Sequence, residues 1–408
     1  MVFLIALTMF LTVSTLATAG NKTYRTLHAF QGGADGWYPF GLLATDEDGN
    51  LYGTTTDNTA DGGTIFKMTA PKTQGGKWEK TLLYAPPGGK NQYPVSVVIG
   101  PDGILYGTAW STESCGFIWS LKLGSGGVAA YTVLYTLNGT TDGCGLEGNL
   151  VADAEGNYYG ATEGGGNTDL CDSGCGVVFE LKRPMEEGGN WSYEVLYAFN
   201  GTPDSQWPLA GVTFDQDGNL WGTTYRGGTN GWGSVYRLSP QQGGGWTNTV
   251  IYSFDQSNEN IISPDGPLTF DSSGNVYGTT LFGGNSGCGY GCGVVFELSS
   301  PNWTYNNIYE FDGDNGRYPE GAIVFDSDGN LYSSTSDGGG GTGYSGVAFQ
   351  LAPPSNGGGW TETVLHEFKA DEIYGPDYGL IWGKWGDLYG MCVTCGNLQY
   401  GTVFEVSP

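Results

Sequence analysis

Histidine and basic residues are scarce in this sequence, and their scarcity excludes several kinds of function. The 408 residues include 2 His and 15 Lys or Arg against 42 Asp or Glu, which gives a formal net charge of −27. A field of this sign repels phosphate backbones and anionic lipid. We therefore expect no nucleic-acid or membrane-surface partner, and a neutral or cationic partner fits better. No Ser-His-Asp or Cys-His catalytic set can be assembled without one of the two histidines.

The two histidines occupy a slot that other segments fill with tyrosine. His28 in "LHAF" and His366 in "LHEF" correspond to the Tyr of "LYTL", "LYAF", "IYSF" and "IYEF". We interpret both as packing variants of a repeated strand residue. The alternative, a general base or metal ligand, also requires a substrate or an ion beside the ring.

Long apolar runs are absent after the first twenty residues. Val2 to Leu16 carries no charge and is followed by Ala17-Thr18-Ala19, the small-x-small pattern of a signal peptidase site. The run is shorter than the about 20 residues of a comfortable membrane span. We predict a signal peptide at residues 1–19 and a secreted, extracellular mature chain at 20–408, with no membrane span and no C-terminal anchor.

Helical periodicity is also missing, and a strand repeat stands in its place. Seven variants of "GNLYG" recur with spacings of 53 to 62 residues, which indicates a supersecondary repeat with variable loops. Their first glycines are Gly49, Gly103, Gly156, Gly218, Gly274, Gly329 and Gly386.

Each repeat contains four short β-type runs bounded by Gly, Asp, Asn or Pro. In the fourth unit these are Gly211–Asp215, Asn219–Tyr225, Gly233–Leu238 and Asn248–Phe254, and the first two are joined by a tight "DQDGN" turn. Seven such units predict an all-β fold, a seven-bladed β-propeller of four-stranded blades forming a single domain. The mature chain begins with an unpaired outer strand, Tyr24–Phe30, and we predict that this strand completes the last blade.

The eight cysteines follow the repeat as well. An even number behind a signal peptide favours disulfides, and we predict the pairs Cys115–Cys144, Cys171–Cys175, Cys288–Cys292 and Cys392–Cys395. The alternatives are a zinc site, which would have to draw together cysteines from separate blades, and a redox pair at the C-x-x-C segment, which lacks a thioredoxin-like context.

Paired carboxylates in the Asp-x-Asp-Gly-Asn turns raise a calcium hypothesis. The pairs are Asp46/Asp48, Asp215/Asp217 and Asp326/Asp328. An EF-hand would need further spaced ligands and a bidentate Glu, whereas these turns lead straight into a strand. We therefore expect no cofactor and no metal site, with weak calcium binding as the alternative.

Aromatic residues beside Asp, Asn and Pro recur in the crossovers between blades. An aromatic face next to hydrogen-bonding groups suits sugar recognition, and convergent crossovers would surround the central channel. The other interpretation is that these rings wedge between blades and fix the turn. The candidate ligand-binding residues are Asp35, Trp37, Tyr38, Tyr93, Asp204, Trp207, Tyr318 and Tyr378, with Trp37 and Trp207 favoured.

The combined pattern "DGNLYGTT…GG…GTVF…L…LYSF…DG.YP.G" resembles the GloVer tandem repeat of secreted bacterial proteins. The resemblance spans nearly the whole mature chain. Members of that family carry different surface-attachment signals, and none is recognisable at the end of this sequence. The resemblance implies little about activity.

These observations favour a monomeric secreted scaffold that binds carbohydrate, either a polysaccharide or a cell-surface glycan. One alternative is a glycoside hydrolase or polysaccharide lyase on the same face, for which we assign no catalytic residue. A catalytic propeller should break its symmetry at one site, and the longest irregular loop, in the third repeat, offers Glu163, Asp169 and Asp172. The other alternative is a structural or adhesive surface protein that engages other proteins.

Overall fold

A computed structural model of the chain describes residues 23–56, 62–86, 92–124, 129–186, 188–256, 262–284, 287–340, 346–355, 357–368 and 375–408. The predicted signal peptide lies outside these residues. The described part is all-β apart from a single 3-10 turn at Gly33–Asp35. The described part contains no helix that is long and apolar enough to cross a membrane.

Seven small antiparallel sheets form a ring, which confirms the seven-bladed β-propeller. From the innermost strand outward, the first blade is formed by β2 (Pro39–Thr45), β3 (Leu51–Thr55), β4 (Thr64–Thr69) and β5 (Glu79–Tyr84). The second blade is formed by β7 (Val98–Ile99), β8 (Leu105–Ser111), β9 (Phe117–Leu123) and β10 (Ala129–Thr136), and β6 (Gln92–Pro94) also pairs with β8. The third blade is formed by β11 (Val151–Ala152), β12 (Tyr158–Thr162), β13 (Val177–Lys182) and β14 (Ser192–Ala198).

The other four blades repeat this order. The fourth blade is formed by β16 (Thr213–Phe214), β17 (Leu220–Thr224), β19 (Ser234–Pro240) and β20 (Trp246–Ser253), beside the small pair β15 (Ser205–Gln206) and β18 (Arg226–Gly227). The fifth is formed by β21 (Thr269–Phe270), β22 (Val276–Thr280), β23 (Val294–Ser299) and β24 (Thr304–Glu310), and the sixth by β25 (Val324–Phe325), β26 (Leu331–Ser334), β27 (Val347–Ala352) and β28 (Thr361–Glu367). The seventh is formed by β29 (Ile381–Trp382), β30 (Leu388–Cys392), β31 (Thr402–Val406) and β1 (Tyr24–Ala29).

Packing inside each blade explains the second glycine of the repeat. In the first blade, the aromatic ring of Phe66 on the third strand lies over Gly53 on the second, and a Cβ at Gly53 would stand 2.4 Å from that ring. Phe179 covers Gly160 in the same way, at 2.7 Å. These rings are fully buried. The glycine is therefore required by close packing of neighbouring strands.

Hydrogen bonds explain the Asp-x-Asp-Gly-Asn turn. The Asp46 carboxylate accepts a bond from the Asn50 backbone N–H at 2.8 Å and from the Tyr52 hydroxyl at 2.9 Å, while Gly49 takes a φ of 85°. Burial acts to raise the pKa of Asp46, but these donors outweigh it and lower the pKa. The first aspartate of the turn thus caps the hairpin.

The N-terminal strand completes the seventh blade, as the sequence predicts. β1 pairs antiparallel with β31, with Tyr24 opposite Val406 and Ala29 opposite Thr402. The Ser407 N–H donates to the Thr23 carbonyl at 3.0 Å, and Arg25 forms an ion pair with Glu405 at 2.8 Å. The ring is closed by strands from opposite ends of the described chain.

The four disulfides have the predicted pairing. Three of them close loops between the second and third strands of the third, fifth and seventh blades, and Cys115–Cys144 joins such a loop in the second blade to the crossover that follows it. This pairing leaves no cysteine free in the described part of the chain. The crossovers and the disulfide-braced loops therefore lie on one face of the propeller, which we call the crossover face.

Candidate functional site

The residue before the crossover proline adopts an unusual backbone conformation in several blades. Tyr38, Trp207 and Tyr318 have φ values of 53°, 61° and 59°, in the left-handed region that side chains disfavour. The Trp207 N–H donates to the Cys175 carbonyl of the preceding blade at 3.0 Å, and the Trp207 carbonyl accepts from Tyr225 of its own blade at 2.9 Å. The strained residue thus bridges two blades.

The aromatic side chains of these crossovers occupy separate places around the crossover face. Trp37 packs against Tyr38 and against Tyr400 of the seventh blade, with both ring centroids at 4.8 Å. The Trp207 indole N–H donates to the Gly174 carbonyl at 3.2 Å. These contacts agree with the wedge interpretation. Ligand binding by Trp37, Tyr38 and Trp207 stays a prediction.

Tyr318 and Tyr93 lie apart from that group. The Tyr318 ring packs against Phe282 of the fifth blade at 5.5 Å. Tyr93 stands opposite Trp110 in the β6–β8 pair and lines a separate cavity of about 360 Å³. Asn91 and Tyr374, which flank two of the predicted aromatic segments, lie outside the described residues.

The crossover aspartates join the outer strands of two neighbouring blades. Asp204 accepts hydrogen bonds from the Tyr197 hydroxyl at 3.0 Å and from the Asn248 side chain at 2.6 Å. Asp35 accepts from His28 at 3.0 Å and from Lys80 at 2.7 Å. Burial acts to raise the pKa of Asp35, but His28 and Lys80 outweigh it and hold the pKa far below its usual value. Both carboxylates are engaged within the protein.

We expect Asp204→Ala to destabilise the fold by about 1–3 kcal/mol, because it leaves Tyr197 and Asn248 without their acceptor. Urea denaturation measures this effect. The matched control is Asp217→Ala, which removes an exposed turn carboxylate and should change stability by less than about 0.5 kcal/mol. Equal effects of the two substitutions would contradict the anchoring role.

A pocket of about 150 Å³ opens at the crossover end of the central channel. Residues from six blades line it, and they lie where each chain segment enters its innermost strand. Apolar and acidic side chains from different blades are interleaved around it. The side chains that line it include Phe40, Leu209, Tyr378, Glu147, Asp265, Glu320 and Asp377.

The four carboxylates occupy one position of the repeat. Each stands six residues before the first residue of the following hairpin turn, directly after Pro or, for Glu147, after Leu146. Phe40 and Leu209 fill the same position in the first and fourth blades, and the second blade is one residue shorter there. Our sequence analysis did not identify these carboxylates, although aligning the repeats on the turn would have placed them together.

Tyr378 breaks the symmetry of the ring. The equivalent position in five other blades holds Gly41, Gly148, Ala210, Gly266 or Gly321. A Cβ at Gly148 would lie 2.3 Å from the backbone nitrogen of Gly211 in the next blade, so a side chain is excluded there. In the seventh blade the tyrosine ring instead packs on Phe40 of the first blade at 4.6 Å. Ligand binding by Tyr378 stays a prediction, but Tyr378 lines the pocket.

The electrostatics of the pocket favour protonated carboxyl groups. Burial, together with the neighbouring acids Glu163 and Asp265, raises the pKa of Glu147 to about 7. Burial raises the pKa of Asp265 to about 6 with a contribution from Glu163, and raises that of Asp377 to about 7 with one from Asp337. Perturbed carboxyl groups gathered in a cavity are typical of functional sites.

The same forces act on the other two titratable groups. Burial and the charges of Asp377 and Asp265 raise the pKa of Glu320 well above its usual value. Burial also raises the pKa of Tyr378, and all four pocket carboxylates add to that shift. The Tyr378 hydroxyl is therefore within electrostatic range of all four pocket carboxyl groups.

An aromatic row leads into the pocket from the second blade. The Trp110 ring packs edge-on against Phe40 at 5.2 Å, and Phe40 packs against Tyr378. All three rings are partly exposed. We call Trp110, Phe40 and Tyr378 the aromatic row. It joins the cavity beside Tyr93 to the channel pocket.

Within the described residues, no group of three or more His, Cys, Asp or Glu side chains has a geometry that could hold a metal ion. Weak calcium binding at the hairpin turns stays a hypothesis. Of the three acids that the irregular loop offers, Glu163 lies within electrostatic range of Glu147 and Asp265. Asp169 and Asp172 are exposed on the loop.

Two solved structures have similar folds. An ancestral GH74 enzyme matches with a TM-score of 0.58 and 12% identity over 91% of this chain and 48% of its own. The extracellular domain of a putative one-component system from B. thetaiotaomicron matches with a TM-score of 0.55 and 10% identity, over 93% of this chain and 40% of its own. This chain spans less than half of either, and at such identities the likeness shows the fold alone.

Sequence comparison identifies the family. Curated protein sequences give no match. The profile described as the Gloeobacter/Verrucomicrobia repeat matches residues 12–171, 111–321 and 264–408 in three overlapping segments. Those segments together span nearly the whole chain and include all seven blades. The chain therefore belongs to the Gloeobacter/Verrucomicrobia repeat family, in agreement with the resemblance drawn from its motifs.

Proposed function

We propose that the protein is a secreted scaffold that binds carbohydrate at the channel pocket and along the aromatic row. The observation that carries the proposal is the arrangement of Trp110, Phe40 and Tyr378, which leads to a cavity that four carboxylic side chains also line. A concave site with apolar walls and a few convergent polar groups is the usual form of a small-ligand site.

Sugars match both the aromatic and the acidic residues of this pocket. The C–H faces of a pyranose ring pack on flat aromatic rings, and its hydroxyl groups donate hydrogen bonds to carboxylate oxygens. The four disulfides support an oxidising, extracellular location. The row extends beyond the pocket, so an oligosaccharide fits better than a single sugar.

The test is retention of the mature chain, residues 20–408, on a panel of immobilised glycans. We expect Trp110→Ala/Tyr378→Ala to lose retention. The exposed residue Tyr290, which lies on a braced loop outside the pocket, supplies the control variant Tyr290→Ala. A third variant, Trp37→Ala/Trp207→Ala, tests the aromatic residues that the sequence favoured. Absence of retention across a broad panel would contradict the proposal and would favour a structural or adhesive role.

Hydrolysis of the bound glycan is the second candidate, favoured by the raised pKa values of Glu147, Asp265 and Asp377. A glycoside hydrolase needs one carboxyl group protonated and another ionised near neutral pH. Release of reducing ends from the retained glycan measures this activity. Release that Glu147→Gln and Asp377→Asn both abolish would favour the enzyme, and retention without release would favour the scaffold.

A further inference from the structure

We propose that the sugar bound in the channel pocket carries a free primary ammonium group, so that the ligand is an amino-sugar polymer with unacetylated amines. This inference rests on the proposed carbohydrate function and specifies its ligand class. It is carried by the charge of the pocket, by a buried carboxylate oxygen without a partner, and by the two aromatic rings that face the same cavity.

The first observation is uncompensated charge. Glu147, Asp265, Glu320 and Asp377 line one cavity, and its lining residues include no Lys, Arg or His. Arg317 forms an ion pair with Asp337, which is within electrostatic range of Asp377. Gathering like charges without a counterion is unfavourable. A cationic ligand would supply the missing positive charge.

The second observation concerns Asp377 alone. Its Oδ1 atom is fully buried and has no hydrogen-bond partner among the described residues. A buried carboxylate oxygen without a donor is costly. The crossover aspartates Asp35 and Asp204, by contrast, are each held by several donors. Asp377 therefore lacks the donors that the fold supplies to comparable carboxylates, and a ligand N–H group in the pocket, which Asp377 lines, would supply one to this carboxyl group.

The aromatic residues of the pocket also suit a cation. The rings of Phe40 and Tyr378 pack together at 4.6 Å and both line the cavity. Aromatic faces attract ammonium groups through their quadrupoles. A hydroxyl group could donate to Asp377 but would leave the charge of the other carboxylates unbalanced. A metal ion is disfavoured because the described acids are not grouped in a ligating geometry.

Binding of an ammonium group should release protons. The acids that face one another in and around the pocket are Glu147, Asp265, Glu320, Asp377 and Glu163, with the Asp337–Arg317 pair and the Tyr378 hydroxyl nearby. A nearby positive charge lowers the pKa of a carboxyl group. Those carboxyl groups that are protonated at neutral pH would then ionise as the ligand binds.

The experiment compares two oligomers of equal length by titration calorimetry, β-linked glucosamine and its N-acetylated form. We expect the glucosamine oligomer to bind at least tenfold more tightly and to release protons, which is detected as a heat that depends on the ionisation enthalpy of the buffer. In Glu147→Gln/Asp377→Asn, the ratio of the two affinities should fall to near one.

The matched control is Asp217→Asn/Asp328→Asn, which removes the same charge from two exposed turns. It should keep the tenfold preference, because the preference comes from the pocket rather than from the net charge. Equal binding of the two oligomers by the wild type, or an equal loss in the control, would overturn the inference while the carbohydrate function stood. Putrescine serves as a sugar-free dication: proton-releasing binding of putrescine without binding of any glycan would instead overturn the proposed function.

Discussion

Deletion of residues 23–29 is expected to prevent the ring from closing. The deletion removes strand β1 and uncovers the edge of β31, whose residues Val403, Phe404 and Val406 are fully buried. The net stability of a folded domain is typically about 5–15 kcal/mol, and loss of a whole strand from the closing blade should remove much of it. Thermal unfolding followed by near-ultraviolet circular dichroism should show a broad transition at a much lower temperature.

A circular permutant provides the control for this deletion. Thr23 and Ser407 are joined by a backbone hydrogen bond of 3.0 Å, so the two ends lie side by side. Residues 23–29 placed after Pro408 through a short turn would form a hairpin with β31 in the same antiparallel pairing. We expect the permutant to regain the cooperative transition. A deletion variant that unfolds like the full chain would show that β1 does not hold the ring closed.

The closure of the ring could be predicted because it follows from where the first strand falls relative to the repeat units. The predicted strand Tyr24–Phe30 has no partner within its own unit, and the seventh unit lacks the outer strand that the other units have. The cysteine pairing could be predicted for the same reason, since each cysteine falls at a fixed place in a loop or crossover. Ring closure and cysteine pairing both depend on the order of strands and loops along the chain, and this order can be determined from the sequence.

The residues of the channel pocket were harder to predict from the repeat pattern. The sequence analysis favoured Trp37 and Trp207 because aromatic residues stand out in the crossovers. Whether a ring faces its neighbouring blade or the channel depends on backbone torsions such as the φ of 61° at Trp207, and the motif does not encode these visibly. The residue two positions further along the chain, directly after the proline, lines the channel pocket instead. Glu320 shows this clearly, because it follows Pro319 directly and lines the pocket.

Tyr378 illustrates what the repeat does encode. The sequence analysis named it for its resemblance to the other crossover aromatics, although it stands after the proline rather than before it. The structure places it at a position where most blades need glycine. A departure from the repeat was the expected sign of a specialised site, and the sequence analysis looked for it in the long loop of the third blade. At the channel, the departure from the repeat is a single side chain, that of Tyr378, rather than a long loop.

Asp377→Asn is expected to stabilise the protein at pH 8 and to leave its stability unchanged near pH 3. The folded-state pKa of Asp377 is raised from 3.8 to about 7, so between those values the folded state holds a proton that the unfolded state has lost. Stability therefore falls as the pH rises through this interval, and the full penalty is present above pH 7. Asparagine carries no charge and avoids the penalty.

The gain at pH 8 should be on the order of 2 kcal/mol, because each unit of pKa shift corresponds to about 1.4 kcal/mol and solvent screening of this partly exposed residue offsets part of it. Urea denaturation at pH 3 and pH 8 measures the difference. Asp217→Asn, at an exposed turn, is the control and should give no gain at either pH. A destabilised Asp377→Asn variant at pH 8 would mean that the carboxylate is held by the fold.

A stabilising substitution at this position would bear directly on function. Residues that cost stability are retained where activity or binding requires them. The pocket carboxylates differ in this respect from Asp35 and Asp204, whose hydrogen bonds support the blades. If Asp377→Asn gains stability and also loses its preference for the glucosamine oligomer, then the same buried charge that weakens the fold is the charge that selects the ligand.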